Sequence, residues 1–245
     1  MPADYLILAA LAFAGSIVFG ATGFGAALVA IPLATQLVPL RFALALFALA
    51  DIANSFSVGL EKPKNAVRGE YLRLATMILV GTAAGVTVLV NLPRAAGMLL
   101  LGGFVIAYAV YALVPHRSVR VIAQGWAWLA GFIGGVTSSL FGAGGPPYVI
   151  YLSQRGLSKE AFRATLGLVT MTSISLRVAG FFLTGLLLDP EVWLAAALAV
   201  PAALAGIAIG RRIFLRVSRE QLGRVIAVLL LASGGALVLR ALHGS

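Results

Sequence analysis

The sequence contains no cysteine, only two histidines and few charged residues. Charged residues make up 11% of the 245 positions, whereas hydrophobic residues make up 61%. Without cysteine, neither disulfides nor thiol chemistry nor cysteine-ligated metals are available. His116 and His243 lie in a link and in the tail, so we expect no metal cluster, no cofactor and no enzyme activity. A soluble domain of this length needs far more polar surface than this composition provides.

Long apolar runs dominate the sequence. Several of them approach about 20 residues, which is enough for an α-helix to cross a hydrocarbon core of roughly 30 Å. We therefore predict an all-α polytopic membrane protein embedded in a lipid bilayer. The first four residues lack the basic region of a signal peptide, so we expect the first run to be retained. The eight runs are Tyr5–Thr35, Phe42–Leu60, Leu72–Val90, Ala95–Val114, Trp126–Ser153, Ala164–Leu188, Val192–Gly210 and Leu222–Leu239.

The two halves of the sequence resemble each other. At a shift of 119 residues, "FAGSIVFGATGFGAALVAIPLA" aligns with "FIGGVTSSLFGAGGPPYVIYLS". At a shift of 125 residues, Gly81 and Gly85 align with Gly206 and Gly210, and this G-x-x-x-G spacing suits close helix packing. Internal repeats are common in transporters. We predict a first repeat over residues 1–115, a cytoplasmic linker over 116–125 and a second repeat over 126–245.

The first run of each half is too long for one simple span. Tyr5–Thr35 would extend about 46 Å as a straight helix at roughly 1.5 Å per residue, and glycines interrupt both runs near the middle. If both runs are re-entrant hairpins, each half has a hairpin plus three transmembrane helices, and the halves are inverted. That topology places most basic residues, including Lys62, Arg155 and Arg211, on the cytoplasmic side. We therefore predict two inverted repeats with both termini outside.

The formal net charge of +10 raises the question of a nucleic-acid partner. In a membrane protein, however, lysine and arginine collect in cytoplasmic loops. No basic tail and no aromatic-basic array is present. We therefore expect no nucleic-acid partner.

The interruptions of the two long runs are the predicted hairpin tips. Non-helical backbone at membrane depth is tolerated only where protein buries it or where it lines a cavity. Pro146 and Pro147 suit the first turn of a new helix. The preceding glycines would offer N–H groups beside a helix N-terminus, a geometry that attracts anions. The predicted substrate-binding residues at the two tips are Gly20, Thr22, Gly23, Phe24, Gly25, Thr137, Ser138, Ser139, Gly142, Gly144, Gly145 and Pro146.

Arg177 lies thirteen residues into the sixth apolar run. An arginine there costs at least about 2.5 kcal/mol on insertion scales, so it is normally paired or faces a cavity. We predict that it supplies the counter-charge for an anionic substrate, and its most obvious buried partner is Asp51. Asp51 is either a proton carrier, which would couple transport to protons, or the group that neutralises Arg177. Further polar residues on the corresponding runs that could line the cavity are Asn54, Ser55, Thr170, Thr172 and Ser173.

Together, these features resemble the TauE/SafE family of membrane permeases. The resemblance covers nearly the whole chain and is carried by "GSIVFGATGFGAALVAIPLA", by "GGVTSSLFGAGGPPYVIYL" with "LSKEAFRATLGL", and by Arg177 before "AGFFLTGLL". The late "GIAIGRRIFLRVSREQLGRVIAVLL" is also similar to the closing pattern of the family. Members often carry lysine near the position of Arg177.

The resemblance implies a multi-pass secondary transporter of the bacterial inner membrane. Its substrate would be a small sulfur-containing anion such as sulfite or an organosulfonate, and the expected direction is export. The physical interpretation also indicates an anion, bound at the midplane between the two tips. The planar guanidinium of Arg177 suits sulfite, sulfonate or carboxylate oxygens.

Other interpretations remain open at this point. An anion channel of the same architecture, or a permease for another small carboxylate or oxyanion, would use similar residues. A membrane-embedded enzyme or assembly subunit predicts clustered histidine, aspartate or cysteine residues, which this sequence does not have. A purely structural membrane protein would leave the buried arginine and the paired hairpins without a purpose.

Overall fold

The regular structure in the described residues is helical. The computed structural model describes residues 2–113, 121–214, 227–228, 230–236 and 238–239. The helices are α1 (Pro2–Thr22), α2 (Ala26–Ala34), α3 (Leu40–Gly59), α4 (Arg68–Asn91), α5 (Arg94–Leu113), α6 (Trp126–Phe141), α7 (Gly145–Ser153), α8 (Lys159–Leu183) and α9 (Pro190–Phe214), with a 3₁₀ turn at Pro63–Asn65. The described positions between 227 and 239 are helical as well.

Some predictions fall outside the described residues. The predicted linker 116–125 and the run Leu222–Leu239 lie partly there. The arginines and histidines outside the described residues are His116, Arg117, Arg120, Arg216, Arg219, Arg224, Arg240 and His243.

Six of the described helices are long and apolar enough to cross a membrane, which confirms an all-α polytopic membrane protein. They are α1, α3, α4, α5, α8 and α9. The division of the chain into two inverted repeats stays a prediction.

Both long apolar runs are broken where the glycines predicted a break. α1 ends at Thr22 and α2 begins at Ala26, with Gly23 and Gly25 in the left-handed region at φ 86° and 90°. α6 ends at Phe141 and is followed by Gly142 at φ 68°. Only glycine adopts this region at little cost, so these residues allow the chain to reverse.

Hydrogen bonds between the start of α6 and the end of α7 show that these two helices form a hairpin. The backbone N–H of Ile122, just before α6, donates to the carbonyl of Gln154, just after α7, at 3.2 Å. Arg155 also donates to the carbonyl of Ile122, and Tyr151 donates to the carbonyl of Gln124. The segment therefore enters and leaves at the same place. We call α6 and α7, Trp126–Ser153, hairpin 2.

α1 and α2 fold back on each other as well. Gly15 of α1 lies directly against the backbone of Ala26, and a Cβ placed on Gly15 would be 2.7 Å from the Ala26 carbonyl oxygen. The absence of a side chain at Gly15 thus permits the close contact between the two helices. We call α1 and α2, Pro2–Ala34, hairpin 1.

Glycines bring each hairpin against a helix from the other half of the chain. Gly81 and Gly85 of α4 contact the backbone of α6, and Gly206 and Gly210 of α9 contact the backbone of α1. The predicted role of these glycines in packing is confirmed, because any side chain would overlap the facing backbone. The contacts of α9 with α1 involve the residues that correspond to those of α4 and α6: a shift of 125 relates the glycines, and a shift of 119 relates the residues they contact. This correspondence supports an internal repeat. The pairs are Gly81 with Phe132, Gly85 with Val136, Gly206 with Phe13 and Gly210 with Ile17.

α3 and α8 lie between the two hairpins. They pack against each other, and α3 contacts hairpin 1 whereas α8 contacts hairpin 2. α3 is the most buried of the six long helices. This arrangement carries Asp51 of α3 and Arg177 of α8 to the region where the hairpin tips meet.

Candidate functional site

A small cavity lies between the two hairpin tips. The space not filled by atoms amounts to about 290 Å³, which includes the part open to the surroundings. The first residues of α2 and the first residues of α7 both contribute to its wall, so two helix N-termini face one space. The lining residues are Phe19, Phe24, Gly25, Ala26, Ala27, Asp51, Ser138, Gly142, Gly144, Gly145, Tyr148, Thr170, Ser173 and Ile174.

The tip of hairpin 2 is a closed turn followed by a helix start. The N–H of Gly142 donates to Ser138 O at 2.9 Å and the N–H of Ala143 donates to Thr137 O at 3.2 Å. The predicted free N–H of Gly142 is therefore not available, because it completes the end of α6. Pro146 and Pro147 lie in the first turn of α7, as predicted, and contribute no N–H. Within the described residues of this tip, the backbone donors that remain unbonded beside the cavity are the N–H groups of Gly144 and Gly145.

The tip of hairpin 1 offers more backbone donors. Thr22 holds Phe24 through its hydroxyl, which accepts from the Phe24 N–H at 3.3 Å and lies 2.6 Å from the Phe24 carbonyl. Gly25, Ala26 and Ala27 line the cavity, and their N–H groups have no acceptor in the described part of the chain. Because no proline follows, this N-terminus keeps every donor of its first turn.

The two tips touch each other. The ring of Phe24 lies against Gly145, the first residue of α7. On the other side, Ala27 and Ile31 of α2 lie against Gly142, and Cβ atoms at these glycines would overlap them. The close contact of the tips therefore depends on glycine in hairpin 2.

A buried ion pair forms the wall behind the cavity. Arg177 Nη2 donates to Asp51 Oδ2 at 2.7 Å, and Arg177 Nη1 donates to the Ser138 carbonyl at 3.2 Å. The predicted pairing of Arg177 with Asp51 is confirmed. Both side chains are buried, with 0% and 4% of their surface exposed. Asp51 lines the cavity, whereas Arg177 lies behind it and contacts the tip of hairpin 2.

This ion pair is incompletely satisfied. Asp51 Oδ1 and Arg177 Nε have no hydrogen-bond partner among the described residues. A buried charge normally uses all of its hydrogen-bonding positions, since an unmet one costs free energy. The pair therefore retains the capacity to bind one more polar group on each side.

Four residues with hydroxyl groups also line the cavity, namely Ser138, Tyr148, Thr170 and Ser173. Tyr148 and Ser173 share a hydrogen bond of 2.9 Å, and the side chain of Thr170 has no partner in the described residues. In the Tyr148–Ser173 pair one hydroxyl donates to the other, which leaves the second hydrogen free for a ligand. Thr170 supplies another free donor. Asp51 and Thr170 correspond at the shift of 119 residues, and both reach the cavity.

The predicted site residues divide into two groups. Nine of them line the cavity, namely Phe24, Gly25, Asp51, Ser138, Gly142, Gly144, Gly145, Thr170 and Ser173. The others are not part of its lining, namely Gly20, Thr22, Gly23, Asn54, Ser55, Thr137, Ser139, Pro146, Thr172 and Arg177.

Several residues of the second group have evident structural partners. Gly20 contacts the backbone of α9, where a Cβ would be 2.6 Å from Ile207 O. Thr137 and Ser139 donate to carbonyls of their own helix, and Ser139 also faces Thr82 O. Asn54 donates to Ser16 Oγ at 2.7 Å.

Tyr148 is the main lining residue that the sequence prediction left out. It lies in the first turn of α7, directly after Pro146 and Pro147, and is completely buried. Side chains in a helix lean towards its N-terminus, so a residue in the first turn covers the tip. The pattern Pro-Pro-Tyr could therefore have predicted Tyr148 as a lining residue. In the described residues no group of three or more histidine, aspartate and glutamate side chains could hold a metal ion.

Comparisons with known proteins agree with this architecture. The model of the family described as sulfite exporter TauE/SafE matches residues 7–237. The chain is 30% identical to the probable sulfite/organosulfonate exporter TauE of Cupriavidus necator, over 96% of this chain and 94% of that protein. It is 26% identical to the probable inner membrane transporter protein TsaS of Comamonas testosteroni, over 63% of this chain and 65% of that protein. No solved structure matches the chain.

The family match spans the whole site, from hairpin 1 to the helical residues after α9. Proteins of this family and both relatives are transporters rather than enzymes. The chain is therefore a multi-pass transporter of the bacterial inner membrane and belongs to the sulfite exporter TauE/SafE family.

Proposed function

We propose that this protein is a secondary transporter that exports a small sulfur-containing anion, such as sulfite or an organosulfonate. The observation that carries the proposal is the convergence of two helix N-termini and one buried ion pair on a single cavity. The names of both relatives support a transporter, and that of the Cupriavidus necator protein supports this class of substrate.

The donors around the cavity match an oxyanion. Each N-terminus carries a partial positive charge in addition to its free N–H groups. The hydroxyls of Thr170 and of the Tyr148–Ser173 pair add directional donors from α7 and α8. The oxygens of sulfite or a sulfonate could thus bind donors from α2, α7 and α8.

Asp51 gives a physical reason for proton coupling. Its carboxylate stands between the cavity and Arg177, so in the ionised form it repels an anion and occupies the guanidinium. Protonation of Asp51 would remove the repulsion and leave the charge of Arg177 to balance the substrate. Because the protonated form accepts the anion, proton and anion would move in the same direction.

Transport in proteoliposomes tests this function. With a dye for lumenal pH, we expect saturable sulfite flux together with proton movement, and neither in protein-free vesicles. Arg177→Ala should abolish the flux. Asp51→Asn should still bind sulfite but move no protons, since its side chain cannot titrate.

The outcomes separate the parts of the proposal. Unchanged proton movement in Asp51→Asn would refute the coupling, and flux that does not saturate would indicate an anion channel. If purified protein binds none of sulfite, sulfoacetate, taurine, sulfate and acetate, or if Arg177→Ala binds them as well as the wild type, the proposed site is wrong.

A further inference from the structure

We infer that Phe24 limits the size of the transported anion and restricts this protein to oxyanions without a large organic substituent. The inference rests on the proposed function and specifies its substrate class. It starts from the position of Phe24 at the boundary between the cavity and the surrounding space.

Phe24 differs from the other residues of the cavity wall in its exposure. The side chains of Phe19, Asp51, Ser138, Tyr148 and their neighbours in the wall are buried. Phe24 is the one lining residue in the described part of the chain whose side chain is partly exposed. The other partly exposed lining residues are Gly25 and Gly142, which have no side chain. The ring of Phe24 therefore forms the mouth of the cavity.

The backbone around Phe24 fixes the direction of the ring. Gly23 and Gly25 on both sides adopt left-handed φ angles, so Phe24 projects from a chain reversal rather than from a helix. Thr22 binds both backbone polar atoms of Phe24. The ring is directed onto Gly145 at the start of α7, where a side chain would collide with it.

The hydroxyl groups of Thr170, Tyr148 and Ser173 belong to the buried part of the cavity wall, whereas Phe24 lies at its exposed edge. An oxyanion that uses Thr170, Tyr148 and Ser173 would place its oxygens towards them. The remaining bond of the central atom would then point towards the mouth, where Phe24 lies. Sulfite carries only a lone pair at that position, whereas a sulfonate carries a carbon group that the ring would meet.

A graded series of monoanions tests the inference by competition with labelled sulfite uptake. We expect methanesulfonate, ethanesulfonate and benzenesulfonate to compete progressively less well in the wild type. In Phe24→Ala the ratio of benzenesulfonate to sulfite affinity should rise by at least about tenfold, the lower bound for a group added in an apolar pocket. Phe182→Ala is the matched control, because this ring on α8 is exposed and outside the cavity wall.

Every outcome bears on the inference. Phe24→Leu should shift the ratio in the same direction by less, and it serves as the test if Phe24→Ala does not fold. A wild type that takes benzenesulfonate as well as sulfite would overturn the inference, and so would an unchanged ratio in a Phe24 variant that still transports sulfite. A wild type that transports no sulfite at all would instead contradict the proposed function.

Discussion

The two hairpin tips face the same cavity but are built differently. Hairpin 2 is fixed: Gly142 closes α6, two prolines start α7, and Arg177 donates to the carbonyl of Ser138. Hairpin 1 has glycine on both sides of Phe24 and keeps all the N–H donors of the first turn of α2. The prolines that make the second tip conspicuous in the sequence also remove donors from it. We therefore regard hairpin 2 as the rigid wall and hairpin 1 as the main source of backbone donors.

The largest expected effect comes from two glycines that correspond at the shift of 119 residues, Gly23 and Gly142. Both have positive φ, but a Cβ on Gly142 would overlap Ile31 and Ala27, whereas on Gly23 it would meet only Leu166 at 3.7 Å. Gly142→Ala should therefore cost about 2–5 kcal/mol, combining left-handed strain with overpacking. Gly23→Ala should cost only about 1–2 kcal/mol from the strain.

Thermal unfolding of the two purified variants in detergent measures this difference. Equal losses of stability would mean that the tips do not meet as described. In that case packing would not distinguish the rigid tip of hairpin 2 from the tip of hairpin 1.

The next largest effect concerns the backbone donors. Ala26→Pro removes one N–H from the first helical position of α2, where the proline φ angle is compatible with the helix. Losing a hydrogen bond to a charged ligand costs about 1.5–3 kcal/mol, so sulfite affinity should fall by about tenfold or more. Pro146→Ala adds an N–H to α7 and should leave affinity unchanged or slightly higher.

Titration calorimetry with both variants compares the tips directly, with the unfolding temperature as a control for the fold. Weaker binding in Pro146→Ala together with unaltered binding in Ala26→Pro would reverse the roles assigned to the hairpins.

The sequence allowed much of this comparison to be predicted. The interrupted runs identified both hairpin tips, because glycine and proline act on the local backbone and need no knowledge of the fold. The Arg177–Asp51 pair was also predictable, since two opposite charges deep in apolar runs have few alternatives.

Other features depended on the orientation of side chains around the helix axes. Gly20 and Gly25 lie five residues apart in one tip, yet Gly20 contacts α9 and Gly25 lines the cavity. Likewise, Ser138 and Ser139 are neighbours, but Ser139 bonds to carbonyls in α4 and α6. Which face of a helix meets the cavity is set by packing between distant elements, and a single sequence does not specify it.

The smallest expected effect is at the base of hairpin 2. Glu70 of α4 is buried, accepts a hydrogen bond from Tyr151 and pairs with Arg155 Nε at 2.9 Å. Glu70→Gln should lower stability by about 1–3 kcal/mol, because it weakens a hydrogen-bonded charge pair in a buried setting. Glu61→Gln is the control, since Glu61 is about one-third exposed and its pairs with Arg163 and Arg211 should contribute less than about 1 kcal/mol.

Denaturation of both variants under the same conditions gives the two values. A larger loss of stability for Glu61→Gln would show that the base of hairpin 2 is not a fixed anchor. The proposed difference in rigidity between hairpin 2 and hairpin 1 would then be weakened.

The central claim is that one anion binds between the two tips, in contact with both. Selenite is a close chemical analogue of sulfite, and its selenium can be located by anomalous X-ray scattering. In crystals grown with selenite we expect one selenium site in the cavity, placed so that selenite oxygens accept hydrogen bonds from the N–H groups of Ala26 or Ala27 and of Gly144 or Gly145. A selenium site that contacts only one tip, or that lies outside the cavity in a protein that binds selenite, would contradict the account.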